Sequence, residues 1–489
     1  MTAVVMLAAM TEFPAFAAET PTITAYISND NTPTDDNSVL QELRRRLGVN
    51  LQIICNYGSD YKTKLNTMLA TNSEPDMYNP DATIAAQLKQ ANRLLNMEPY
   101  LDEYGPDIKA AYGDKLHEAP LNKDGVYALF NLNRGDIPNL CIRKDWLAAV
   151  GREMPTTTDE LYDVLRAFAY EDPDGNGLND TFGLAPSLST PALFSLYFAA
   201  FGVHMSSWGF TQNSVLLEDG TVTTALKHPR FLEAITFLNR LYHERIMDPD
   251  FATLTGMQGY ERLWNGKVGT ISFQSTGVTN NWYPGRYTFE VPENPGDLFG
   301  FAVIDGHGAP KSYPNLVDPN WVINAKTKYP ELCVKTLNYI SFNNEGQELT
   351  YLGVEGKHFE WIDKENGKYR RIGIYTDDVA HRADGGFVYY IALTKTAAAD
   401  RLYNKTTRDA QDHEDEVGLE WPYIAVNLDS VVECDPDLQM CVKECVANLI
   451  VSDGDLEKEL DEYIKRWEGE GGLRVEADAT AAYNAEHGQ

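Results

Sequence analysis

The stretch EDPDGNGLNDTFG, Glu171 to Gly183, sets Asp172, Asp174, Asn176 and Asp180 at alternate or near-alternate positions of one short loop. Short oxygen-bearing side chains at positions one, three and five of such a loop converge on a single hard cation. Gly177 at position six permits the sharp turn, and Leu178 at position seven offers its backbone carbonyl. Asp180 stands at position nine. Position twelve is Gly183, not the bidentate glutamate of an EF-hand, so the pattern is partial. An ordinary turn favours the same residue types, but four oxygen donors at this spacing, with the glycine, exceed what a turn requires. The expectation is a structural Ca2+ held by Asp172, Asp174, Asn176, Leu178 and Asp180.

A helix must deliver this loop. TTDELYDVLRAFAYE begins with Thr157 and Glu160 at capping-box spacing and carries Leu161, Val164, Leu165 and Phe168 as an apolar stripe. The loop starts where that helix ends, so a cation there ties a helix end to the next segment and needs no part in chemistry. Upstream, TITAYIS alternates as a strand does, NSVLQELRRRLG puts Leu40, Leu43 and Leu47 on one helical face before Gly48, and VNLQIIC is strand again. This β-α-β order is the mark of a parallel α/β layer. Downstream, PRFLEAITFLNRLYHERIMDPDF is helical, with Phe231, Ile235, Leu238 and Tyr242 on one face. It contains His243 and Glu244, but Met247 breaks the two-histidine zinc-protease pattern. Strand and helix alternate nearly throughout, so the fold class is α/β.

The 489 residues exceed one compact core, so two or three domains are expected. The formal net charge of -31 repels phosphate backbones and anionic headgroups, which argues against nucleic-acid or membrane-surface binding. The opening AVVMLAAM with PAFAA reads as an export signal over residues 1–17, lacking a positive start, with cleavage before Ala18. Among six scattered cysteines, Cys441 and Cys445 stand one helical turn apart and read as buried thiols, since zinc wants a fourth ligand and tighter spacing. There is no nucleophile-elbow motif and no phosphate-binding loop, and the nine histidines form no ligand pair.

Several stretches together resemble one family. SDYKTKLNTMLATNSEPDMYN, IRKDWLAAVGREMPTTTDELYDVLRAFAYEDPDGNGLNDTFGL, LNRLYHERIMDPDF, NGKVG, NWVINAKTKYPELCVKTLNYISFNNEGQ and YLGVEGKHFEW follow in the order seen in extracellular solute-binding proteins of ABC importers. The resemblance is to their large calcium-binding, oligosaccharide-type branch, which includes alginate-binding proteins and LplA-like lipoproteins. Thr181 stands where close relatives often carry an acidic residue. The resemblance implies a two-lobed, Venus-flytrap α/β fold with a hinge. Lobe 1 would comprise residues 18–140 plus about 305–352, and lobe 2 residues 141–304 plus about 353–489 with the calcium loop. Two open parallel sheets would place loops at their strand ends, and the lobes would close over a ligand in the cleft between them.

It also implies a function: extracytoplasmic capture of an oligosaccharide and delivery to the permease subunits of an importer, by a monomer anchored through a lipid or released. A pyranose presents an apolar face and a rim of hydroxyls, so aromatic platforms and amide or carboxylate partners are sought. Trp282, Trp321 and Trp208 are the candidate platforms; Tyr57, Asp60 and Asp76 are the candidate rim contacts. Trp146 and Trp264 lie within helical patterns and are expected to pack. The rival readings are a secreted calcium-binding lyase or glycosidase and a calcium-stabilised adhesion module. Turnover of a glycan would favour the first, and polymer binding without a tight small-glycan site the second.

Overall fold

The computed structural model describes residues 20–29, 32–56, 58–132, 138–274, 287–292, 295–308, 319–365, 368–385, 417–422, 424 and 428–487. The export segment expected over residues 1–17 therefore lies outside the described residues. Two separate cores organise the chain.

The first core is built on β1 (Thr22–Ser28), β2 (Asn50–Asn56) and β3 (Met77–Tyr78), which pair in parallel in the order β2-β1-β3. The Trp321–Ile323 strand then pairs antiparallel to β3, and β4 (Ala128–Leu129) pairs antiparallel to that strand at the edge. Helices α1 (Ser38–Leu47), α2 (Gly58–Ala70) and α3 (Ala82–Gln90) follow the three parallel strands. α1 forms for local reasons: Asn37 caps it through its side chain, Val39, Leu40, Leu43 and Leu47 are buried, and Gly48 ends it at φ +70°. One apolar cluster joins Leu43, Leu51, Met77 and Leu337 on one side of the sheet; another joins Tyr26, Leu65, Leu88 and Phe130.

The second core forms around β5 (Pro138–Arg143), which lies between the strands Thr270–Gln274 and Phe299–Ala302. Both pairings are antiparallel. This corrects the expectation of a second parallel sheet: both partners arrive from more than a hundred residues downstream, and pairing direction is not a property of local pattern. Leu140, Cys141 and Ile142 are all buried because both faces of the strand are covered. The Thr158–Tyr170, Phe231–His243 and Asp429–Val451 helices bury their apolar stripes in this core. Trp146 and Trp264 are buried there as expected, as are the thiols of Cys441 and Cys445.

The chain passes between the cores three times, after Phe130, between Ile304 and Trp321, and between residues 385 and 417. Two of the described segments that flank these passages meet, because the Gly308 N–H donates to the Val417 carbonyl at 3.1 Å. The segment 353–385 is attached to the first core, whereas the resemblance put it, from about 353, in lobe 2. Phe359 and Tyr369 pack on Leu352, and Asp384 is bonded to α1. The Asp384 carboxylate accepts from the Ser38 N–H at 2.7 Å, from Tyr375 at 2.7 Å and from Lys357 at 2.7 Å. Burial alone would raise this carboxyl, but the donors from Lys357, Tyr375 and Ser38 hold it well below the usual carboxylate range.

In the second core, His204 is 3% exposed, stacks on Trp421 at 4.6 Å and 7°, and shares a hydrogen bond with the Ser214 carbonyl at 3.2 Å. Burial pushes its imidazole down to about 4. The unfolded chain takes up that proton near pH 6.5, the folded one only near pH 4, so the stability this neutral ring contributes is complete above 6.5 and is lost as pH falls through the window. His228, His307 and His358 are lowered by burial too and act in the same direction. The expected result is that His204→Phe, which retains the stack, reduces the drop in Tm between about pH 7 and about pH 5. A drop as steep as the parent's would show that this ring does not titrate on unfolding.

Candidate functional site: the carboxyl edge of the first sheet and the acidic loop

In an open α/β layer the loops at the carboxyl ends of parallel strands face the ligand crevice. Here those ends carry amides. Asn29, Asn56 and Asn79 follow or end β1, β2 and β3. The Asn29 N–H donates to the Asn56 carbonyl at 3.0 Å. Tyr26 donates its hydroxyl to the Asn56 side-chain oxygen at 3.1 Å, and Tyr61 donates to the Asn79 carbonyl at 2.9 Å. The rings of Tyr26 and Tyr61 stack at 4.5 Å and 9° beneath this edge. Burial raises both phenols, so both stay protonated as donors. The three asparagines were not singled out in the sequence. The available signal was the amide that closes each strand-like run, in YISND, IICNY and MYNP.

The residues chosen from the sequence fall in three groups. Asp60 is exposed in the first turn of α2, at this carboxyl edge. Tyr57 and Trp282 lie outside the described residues. Asp76, Trp321 and Trp208 are committed to the fold. Asp76 precedes β3, at the end opposite the edge. Its oxygens accept from the Thr24 N–H at 2.9 Å, the Thr24 hydroxyl at 2.7 Å and the Thr327 hydroxyl at 2.7 Å, which clasps three strands' worth of chain. These bonds give the carboxylate a structural task at the end away from the edge. Trp321 is 3% exposed and packs in the first core. Trp208 is 7% exposed, donates its indole N–H to the Leu188 carbonyl at 3.0 Å and lies against Phe194. Neither ring presents an open face for stacking.

The acidic loop is positioned by the Thr158–Tyr170 helix, whose Thr157 cap accepts from the Glu160 N–H at 3.2 Å. Thr181 turns inward and donates to the Phe168 carbonyl at 2.7 Å, so this residue ties the loop's exit to the helix that enters it. Asp172 adopts φ +48°, and Gly177 adopts φ +78°, the left-handed turn that position six demands. The side chains already converge: the Asn176 amide reaches the carboxylates of Asp174 at 2.9 Å and Asp180 at 3.2 Å. Asp172 accepts from the Asn176 and Gly177 N–H groups at 3.1 and 3.0 Å. Asp174 is raised by partial burial and by the charges of Asp180 and Asp172, whereas the Lys267 ammonium at 2.5 Å lowers Asp180. Among the described residues no three His, Cys, Asp or Glu side chains form a ready-made metal cage. The loop's chemistry nevertheless fits a hard cation: three carboxylates and an amide oxygen lie within one turn, and their mutual repulsion is balanced by backbone donors, the Asn176 amide and one lysine.

Two lobes and three passages of chain between them are the architecture of a two-lobed α/β protein. The chain belongs to the bacterial extracellular solute-binding protein family, whose model matches residues 37–345. It is therefore a binding protein and not an enzyme. It is 23% identical to Lipoprotein LipO of Bacillus subtilis (strain 168) over 481 residues, 96% of this chain and 93% of that protein. It is 26% identical to the fructooligosaccharide ABC transporter substrate-binding protein FusA of Streptococcus pneumoniae serotype 4, over 72% of this chain and 62% of that one. A solved structure of the S. pneumoniae FusA EF-hand mutant with fructo-nystose superposes with a TM-score of 0.69 at 19% identity, covering 96% of this chain and 99% of that chain.

Proposed function

We propose that this protein captures an oligosaccharide outside the cytoplasm and delivers it to the membrane permease of an ABC importer, acting as a monomer. The observation that carries the reading is the match to FusA, a fructooligosaccharide-binding protein, over nearly three quarters of this chain. The site chemistry supports it. Asn56 and Asn79 at one sheet edge, with Asp60 beside them, offer neutral and acidic partners for a hydroxyl rim. Trp282 is retained as the stacking platform. Closure of two lobes over the ligand is a hinge motion, and the ligand favours the closed state by contacting both lobes. Attachment to the membrane through a lipid is part of this reading, supported by the lipoprotein relative. So is a structural Ca2+ in the loop of Asp172, Asp174, Asn176, Leu178 and Asp180, supported by the convergence of those side chains.

The test is a panel of neutral and uronic oligosaccharides read by thermal shift, with the mixtures afterwards separated for products. At about a hundredfold excess over Kd a ligand stabilises the native state by about 2.7 kcal/mol, and in domains of this size each kcal/mol is worth about 2–4 °C. A rise of several degrees with every glycan recovered intact is expected. A panel without a single shift, or any product, rejects the reading.

A further inference from the structure

A groove of about 990 Å³ runs down the flank of the first core along α3. That volume reaches the upper end of the range usual for ligand pockets. Its lining includes Ala82 and Thr83, three and four residues after Asn79 of the carboxyl edge, and Asn96 and Tyr127, the latter just before β4. The nine residues of α3 give the groove a wall about 13 Å long.

Its chemistry is neutral on a chain of net charge -31. The Lys89 ammonium is paired with Asp124, donates to the Leu121 carbonyl at 2.8 Å and sits 4.5 Å from the centre of the Tyr127 ring, so neither charge is left over. The lining combines the small apolar surfaces of Ala82, Ala86 and Pro120 with the carboxamides of Gln87, Gln90 and Asn92. These three are exposed, and among the described residues their side chains have no hydrogen-bond partner. An anion or a cation gains nothing here that solvent does not offer. A chain of hydroxyls with apolar ring faces gains both kinds of contact.

We infer that this groove is an extension subsite for a neutral glycan: it takes the end of a chain too long for the cleft to enclose, which leaves over the rim at Asn79 and runs along α3. The inference rests on the oligosaccharide reading and narrows it to long, uncharged ligands. Gln87 and Gln90 hydrogen-bond the overhanging residues, and Ala86 leaves room for them.

The test measures affinity along graded gluco-, fructo-, manno- and galacto-oligosaccharides, from trisaccharides to the longest soluble members, for the parent, for Gln87→Ala/Gln90→Ala and for Ala86→Trp. All three positions are exposed on a helix, so the variants fold. In the series that binds, the parent gains affinity with each added residue beyond the shortest tight binder. Gln87→Ala/Gln90→Ala loses about tenfold for the long members, the worth of two amide hydrogen bonds, Ala86→Trp weakens them by filling the groove, and both keep the affinity for short ones. If no series binds the parent, the oligosaccharide reading fails and this inference with it. If a series binds but parent and variants share one length dependence, the inference alone is overturned. The same holds if the variants bind every length normally yet fail in uptake, which would make the groove a contact for a membrane partner.

Discussion

Trp208→Ala lowers the melting temperature by on the order of 10 °C and leaves glycan affinity unchanged. The ring is 7% exposed, its N–H is spent on the Leu188 carbonyl, and Phe194 lies 6.0 Å away, centre to centre. Truncating a buried tryptophan costs about 3–5 kcal/mol. The Leu188 carbonyl also loses its donor. At about 2–4 °C per kcal/mol in domains of this size, the loss falls in the range stated. On the proposal that Trp282 is the cleft platform, Trp282→Ala is expected to give the opposite pattern, affinity lost with the melting temperature kept, because such a platform would be solvated in an open form. Calorimetry and titration on the two variants decide both points. A Trp208→Ala protein that melts like the parent but no longer binds would mean that this indole leaves the core to meet ligand.

The burial of Trp208 marks what the sequence could convey. Periodicity identified the α1 and Thr158–Tyr170 helices, because burial there follows from spacing within one segment. It also located the acidic loop, whose donors all lie within nine residues. Whether an aromatic faces core or crevice depends on distant partners. Trp321 stands in a strand as expected, but its side chain is enclosed by helices that follow it and by strands some two hundred residues earlier. Asp76 looked like a loop carboxylate, yet Thr24 and Thr327 converge on it from both directions along the chain. The asparagines show the same limit from the other side. Each is unremarkable in its own run, and only the parallel alignment of β1, β2 and β3 brings Asn29, Asn56 and Asn79 to one edge. Attachment of residues 353–385 to the first core uses, besides Phe359 and Tyr369 on Leu352, the carboxylate of Asp384 bonded to a helix more than three hundred residues earlier.

Removing calcium lowers the melting temperature by several degrees, and Asp174→Asn reverses sign with the ion. Without a cation, Asp174 faces Asp172 and Asp180 with partial burial, and its carboxyl is raised because ionisation there is unfavourable. Asparagine removes that charge and keeps the acceptor, so in chelator the variant melts as high as the parent or higher. With calcium present, the same carboxylate becomes a ligand oxygen, and losing its charge weakens the site; the parent then melts higher than the variant. Linkage gives the scale, about 2.7 kcal/mol for a site filled at a hundredfold excess over its dissociation constant. Lys267 provides the control. Its ammonium neutralises Asp180 in the ion-free loop, so Lys267→Met destabilises the chelated protein and enlarges the rise on adding calcium. Glycan affinity changes little in any of these variants, because the loop follows the Thr158–Tyr170 helix in the second core, away from the amide edge of the first. A parent protein that melts at one temperature with calcium and with chelator would show that the lysine and the backbone donors balance the three carboxylates by themselves.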